Sequence, residues 1–152
     1  MSVTGSLNHI DISVGYPDRS IPFYAAFLEA LGYRRRDIDD PQWSGPSPRR
    51  ATWSIALPEG AFAIELRPAR LESRDRAYDR YAPGPHHMAF SAADRAAVQR
   101  VHDAVCAIGA TVLDPPTDYS GRHGYSNGYF AFFVADPDGQ KLEVAHVPRD
   151  LP

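Results

Sequence analysis

The chain has 152 residues, 43% of them hydrophobic and 23% charged, the balance of an ordinary globular domain with length enough to bury a sizeable core. Its 16 Lys and Arg against 19 Asp and Glu leave a formal charge of −3, so neither nucleic acid nor an anionic membrane is an expected partner. No apolar run reaches membrane-spanning length, and "MSVTGSLNHI" lacks a basic-then-apolar leader, so a cytoplasmic protein is the expectation.

In chain order, "NHIDISV" alternates as a strand and leads into "DRSIPFYAAFLEALGY", where Ile21, Tyr24, Leu28 and Leu31 recur at helical spacing. Asp18 or Ser20 can cap this helix, and Gly32 can end it. "ATWSIALPEGAFAIELRP" reads as a hairpin turning at Pro58, Glu59 and Gly60. The pattern then starts again. "HHMAFSA" is strand-like, and "ADRAAVQRVHDAVCAIGA" carries a stripe of Val98, Val101, Val105 and Ile108, with Asp94 as cap and Gly109 as stop. The lone Cys106 in that helix reads as a small buried hydrophobe, and His102 and His146 as structural or surface residues. "GYFAFFVADPDGQKLEVAHVP" is a second hairpin, turning at Pro137, Asp138 and Gly139.

The two halves keep register. His9 and His87 are 78 positions apart, and so are Glu65 and Glu143; the helix-ending glycines are 77 apart and the turn glycines 79. Two copies of one β-α-β-β-β unit, at about residues 7–66 and 85–147 of a single domain over 1–152, account for this spacing.

Strand parity then selects candidate site residues. Ile10, Ile12 and Val14 share one face, leaving His9, Asp11 and Ser13 on the other; Phe62, Ile64 and Leu66 oppose Ala63, Glu65 and Arg67. Met88 and Phe90 oppose His87, Ala89 and Ser91, while Leu142 and Val144 oppose Lys141, Glu143 and Ala145. If the bulky faces pack on the helices, His9, Glu65, His87 and Glu143 all project from the other side, and His86 falls on the helix side or at the strand mouth. Two imidazoles and two carboxylates suit Zn²⁺, Ni²⁺, Mn²⁺ or Fe²⁺, with no thiolate to bias the choice.

At these residues "HIDISV", "FAIELRP", "HHMAFSA" and above all "AFFVADPDGQKLEVAH" resemble the vicinal oxygen chelate superfamily of glyoxalases, extradiol dioxygenases and bleomycin- and fosfomycin-resistance proteins. The resemblance spans about residues 7 to 147. It implies an α+β fold of two tandem β-α-β-β-β modules forming a curved mixed sheet around a cleft, paired within one chain or between two in a homodimer. It places His9, Glu65, His87 and Glu143 on the metal-ligand positions of the glyoxalase-like branch. The implied activity is lyase or isomerase proton transfer through an enediolate-like intermediate, with Glu65 or Glu143 carrying the proton. The glutathione-dependent members of that branch carry an Arg four residues after the first His and an Asn four residues after the first Glu; here Ser13 and Ala69 stand there. Two alternatives stand beside this reading. One is an extradiol-type dioxygenase using His9, His87 and Glu143, with His123 and Tyr125 as acid-base groups; the other is a metal-free drug-binding resistance protein.

Three loop regions are candidates for substrate contacts. Residues 34–50 carry Trp43, residues 67–85 carry Arg67 and two tyrosines, and residues 114–129 carry Arg122, His123, Tyr125 and Tyr129. They read either as an aromatic lining with an Arg for an anionic group, or as solvated connections and dimer contacts.

Overall fold

Proline sets the start of the first helix. In the computed structural model, which describes residues 4–36, 51–58 and 60–148, helix α1 runs over Pro17–Ala30, with Pro17 in the first turn and Tyr16 as an extended N-cap. A first-turn proline lacks only an N–H that no helical carbonyl would accept, so the helix begins without a side-chain cap. The expected caps are therefore corrected. Asp18 lies in the first turn, where its charge suits the helix dipole, and Ser20 is fully buried with its Oγ unpaired. The second helix, α2 (Arg95–Ala107), does use its predicted cap: Asp94 accepts a hydrogen bond from Ala97 N at 2.6 Å. Gly32 and Gly109 follow the two helices at φ of 92° and 73°, the left-handed turn that glycine adopts without strain.

The strands complete two units. Strands β1 (His9–Val14), β2 (Arg34–Arg35), β3 (Ala51–Leu57) and β4 (Gly60–Pro68) form one sheet in the order β1-β4-β3-β2. Strands β5 (Met88–Ser91), β6 (Thr111–Asp118), β7 (Phe130–Ala135) and β8 (Lys141–His146) repeat it as β5-β8-β7-β6. Contacts divide the chain into one unit over Met1–Arg76 and another over Ala77–Pro152. In each unit the first strand pairs in parallel with the last, and the ladders match residue for residue. Ile10 lies opposite Ile64 and Met88 opposite Leu142, both partners displaced by 78 positions. The hairpins differ: two residues separate the paired Leu57 and Gly60, five separate Ala135 and Lys141. In the longer turn Asp136 Oδ1 accepts from Asp138 N and Gln140 N, at 2.9 and 2.8 Å.

One face of each sheet meets its helix. Trp53, fully buried, donates from Nε1 to Glu29 Oε1 on α1 at 3.2 Å, and its ladder partner Ile64 shares that face with Ile12, Val14 and Leu66. In the second unit Phe132 meets His102 of α2 edge-on, beside Val134, Leu142, Val144 and the helix's Val98, Val101 and Val105. The parity derived from sequence thus holds in both units.

Three local expectations are corrected. Cys106 is exposed, because the buried stripe ends at Val105 and the next residue lies about 100° further round the helix. Ile108 is 48% exposed, since it falls at the C-cap, beyond the last helical turn. Part of the expected loop over 114–129 is strand β6. It lies at the sheet edge, where Pro115 and Pro116 cost no interior ladder bond, and its register with β7 shifts twice to pass them. Among the described residues no helix is long and apolar enough to cross a membrane.

Candidate functional site

Glu143 is the centre of the second unit's open face. It lies on β8 beside Ala89 of β5 and Phe133 of β7, with its side chain turned away from α2, and only 3% of it is exposed. His87, immediately before β5, places Nε2 3.1 Å from Glu143 Oε2 and sets its ring edge-on to Phe133. Tyr129 donates its O–H to the other oxygen, Glu143 Oε1, at 2.5 Å. Burial first, then this bond to the carboxylate, pushes the Tyr129 phenol above its ordinary range, so it stays a donor. Around this core Tyr119 is buried, Tyr125 stacks on it at 4.9 Å, and Arg122 lies 4.7 Å over the Tyr119 ring.

The first unit builds its half from charges. Glu65, 9% exposed, faces Asp11 on β1 and Thr52 on β3. Arg67, next on the same face, bonds Asp11 through Nε and holds Nη2 3.8 Å from Glu65 Oε2. Thr52 is buried, with its Oγ1 unpaired. His9 is exposed, and its Nδ1 lies 2.9 Å from Asn8 Oδ1.

The structure therefore joins His87 to Glu143, and Glu65 to Arg67 and Asp11. Of the loop candidates, Tyr129 turns out to serve Glu143, Tyr125 and Arg122 pack on Tyr119, and His123 is exposed. Trp43 lies outside the described residues. Of the two places expected for His86 it takes the strand mouth: both histidines precede β5, and their Nδ1 atoms lie 2.8 Å apart. The His86 ring also rests edge-on against Tyr81. Loss of water around the ring, followed by His87, Arg80 and Lys141, lowers the pKa of His86 from its ordinary value. Asp11 shared the face that sequence parity assigned to His9, but Thr52 could be placed only once the hairpin register was known. A separate polar cavity of about 660 Å³ at the start of α2, lined by Arg95, Asp118, Ser120 and Asn127 among others, includes none of the candidates.

His87 and Glu143 are donor types that would suit a divalent cation. Glu143 is a buried carboxylate whose two oxygens meet an imidazole and a phenol, and a buried anion is costly without a compensating positive charge. Thr52 Oγ1 is an orphaned donor directly across the ladder from Glu65. Among the described residues no group of three or more His, Cys, Asp or Glu is placed to hold a metal ion.

Residues 6–144 match the model of the Glyoxalase/Bleomycin resistance protein/Dioxygenase superfamily. The chain belongs to this superfamily. An uncharacterized protein of Bacillus subtilis, YqjT, is 27% identical over 140 residues, covering 91% of this chain and 96% of its own. Among solved structures, a Bacillus halodurans protein named as a candidate glyoxalase superposes with a TM-score of 0.72 at 23% identity, over 95% of this chain and 97% of that one. A glyoxalase-related enzyme from Fulvimarina pelagi gives 0.60 at 21% identity, over 95% and 89%. At these identities the two structures establish the superfamily's α+β fold.

Tyr129 yields a first expected result. Tyr129→Phe keeps the ring among its aromatic neighbours and removes one hydrogen bond to Glu143. Stability, read by urea unfolding, should fall by about 1–2 kcal/mol. An unchanged midpoint would show that the bond to Glu143 contributes nothing to the fold.

Proposed function

We propose that the protein is a divalent-metal-dependent enzyme of the lyase or isomerase type that moves a proton within a small molecule carrying adjacent oxygens. The observation that carries this reading is the buried Glu143 with His87 Nε2 at 3.1 Å, on the face turned from the helix. Its support is the matching pair His9 and Glu65, 78 positions earlier and on the corresponding face. In this reading His87 and Glu143 are ligands of a Zn²⁺, Ni²⁺, Mn²⁺ or Fe²⁺ ion, and His9 and Glu65 are candidate ligands of the same kind. When bound, the ion supplies Lewis acidity to the substrate's neighbouring oxygens.

The protein's own groups do the rest. Tyr129 fixes the orientation of Glu143, and Arg67, anchored on Asp11, steadies Glu65. Glu65 and Glu143 are the carboxylates available to take a proton from one carbon and return it to its neighbour. Tyr119, Tyr125, Tyr129 and Phe133, packed mostly edge-to-face, lower the local dielectric beside Glu143 and offer aromatic surface to the substrate. Arg122, at the edge of that surface, suits an anionic substituent.

Elemental analysis of purified protein, run beside a substrate panel in D₂O, tests the reading. The panel holds methylglyoxal-thiol adducts, epimerisable acyl compounds and catechols. The expected result is bound metal and deuterium exchange next to a carbonyl, without oxygen uptake. Turnover of a catechol with oxygen uptake would replace this reading by a dioxygenase. Saturable drug binding that ignores chelator would replace it by a binding protein.

A further inference from the structure

The polar cavity at the start of α2 is walled by Arg95 and by two stretches of the second unit. One stretch runs from Asp118 to Ser120 at the end of β6, the other from Ser126 to Gly128 just before β7. A backbone bond from Tyr119 N to Tyr129 O, at 2.8 Å, ties the two together. The volume of about 660 Å³ is ample for a small molecule. The walls are set before anything binds, which keeps the ordering cost of binding low. Arg95 Nη2 donates to Asp118 Oδ2 at 2.6 Å, and its guanidinium lies 4.9 Å over the Phe130 ring. Ser120 Oγ accepts from Gly128 N at 2.7 Å. Gly128, at φ 78°, abuts Pro148 so closely that a Cβ would lie 2.5 Å from the proline Cγ.

The charges of the lining cancel. Arg95 and Asp118 are its charged side chains, and they are bonded to each other. Ser120, through its hydroxyl and then its backbone N–H, holds the pKa of Asp118 down at about 2, with Arg95 adding to the effect. The carboxylate is therefore ionised at neutral pH. An anion approaching Arg95 meets the Asp118 charge, and a cation approaching Asp118 meets the guanidinium, so neither gains much. The groups left over are neutral or already balanced. Among the described residues the Ser126 hydroxyl and the Asn127 amide have no hydrogen-bond partner, and Arg95 has N–H groups to spare. Together they donate and accept, and a hydroxyl answers in either direction. We propose that this cavity binds a neutral, polyhydroxylated molecule of monosaccharide or disaccharide size, at a site separate from the Glu143 face.

The test is an amide NMR titration of the full chain with glucose, myo-inositol and trehalose, beside glucuronate and glucosamine as charged counterparts. At least one neutral member should saturate with a Kd of about 1 mM or tighter, shifting the amides of Ser120, Asn127 and Gly128. The charged counterparts should bind no more tightly. Ser126→Ala and Asn127→Ala remove side-chain groups that hold nothing else, so the fold should keep its bonds. Each should weaken the neutral ligand about 3–10-fold. Full affinity in both variants, or no saturable shift from any neutral member up to about 50 mM, would overturn the site. A charged counterpart binding about tenfold more tightly than glucose would overturn the neutral class of ligand. Shifts confined to the surroundings of Glu143 would put the ligand on the other face and overturn the proposal as well.

Discussion

Glu143→Gln is expected to lose metal retention and turnover together, with kcat/KM falling about 100-fold or more. Glutamine fills the same volume and still accepts from Tyr129 or His87, so the aromatic surroundings should hold their shape. It removes the negative charge that a cation needs and the basicity that a proton acceptor needs. Because the substitution also relieves a buried anion, the thermal midpoint should stay or rise, and that separates a chemical role from a structural one. Glu65→Gln is the discriminating partner. It should cripple proton transfer that uses four ligands, yet spare much of a reaction that needs only His9, His87 and Glu143. Metal content by elemental analysis and kcat/KM on the best substrate of the panel decide both. A Glu143→Gln protein with its full metal and activity would remove the site.

The largest effect on stability should come from Trp53→Ala. Trp53 is fully buried between the first sheet and α1, its Nε1 satisfies Glu29, and the Arg35 guanidinium lies 5.5 Å over its ring. Truncation forfeits the burial, opens a cavity and strands a carboxylate oxygen, costing about 3–5 kcal/mol. Trp53→Phe retains most of the packing and should cost a minor part of that. Urea unfolding followed by circular dichroism would show a lower midpoint at unchanged slope. A loss under about 1 kcal/mol for Trp53→Ala would mean the cavity collapses.

Periodicity and repetition made most of the fold legible. The 78-residue offset reappears in the ladders themselves, and the apolar faces of β1, β4, β5 and β8 could be read from alternation alone. Glu65 and Glu143 followed from that parity. What failed were features that alternation does not encode. The start of α1 was set by Pro17 and not by an oxygen-bearing cap, and the histidines before β5 escaped the pleat. The surroundings of the two glutamates also differ in a way the repeat concealed. Thr52 faces Glu65 while Phe133 faces Glu143, because the second hairpin turn is three residues longer and shifts the opposing strand. Tyr129 was read as a substrate contact, since nothing in a sequence shows that a loop tyrosine will reach a carboxylate 14 positions ahead.

The parallel pairing of first strand with last has a consequence for how the chain is made. β1 must wait for β4 before its sheet can close, and β5 must wait for β8, so neither unit can complete its hydrogen bonding from local contacts. The 78 residues between Pro68 and His146 take about 4–16 s to synthesise at the usual 5–20 residues per second. For that interval the first sheet can be whole while the second is still being translated. The order suits the chemistry of the faces: the early unit bears Asp11, Glu65 and Arg67, charged groups that resist sticking to other nascent chains. The aromatic face, with Tyr119, Tyr129 and Phe133, is translated after it, within the stretch where β5 waits for β8.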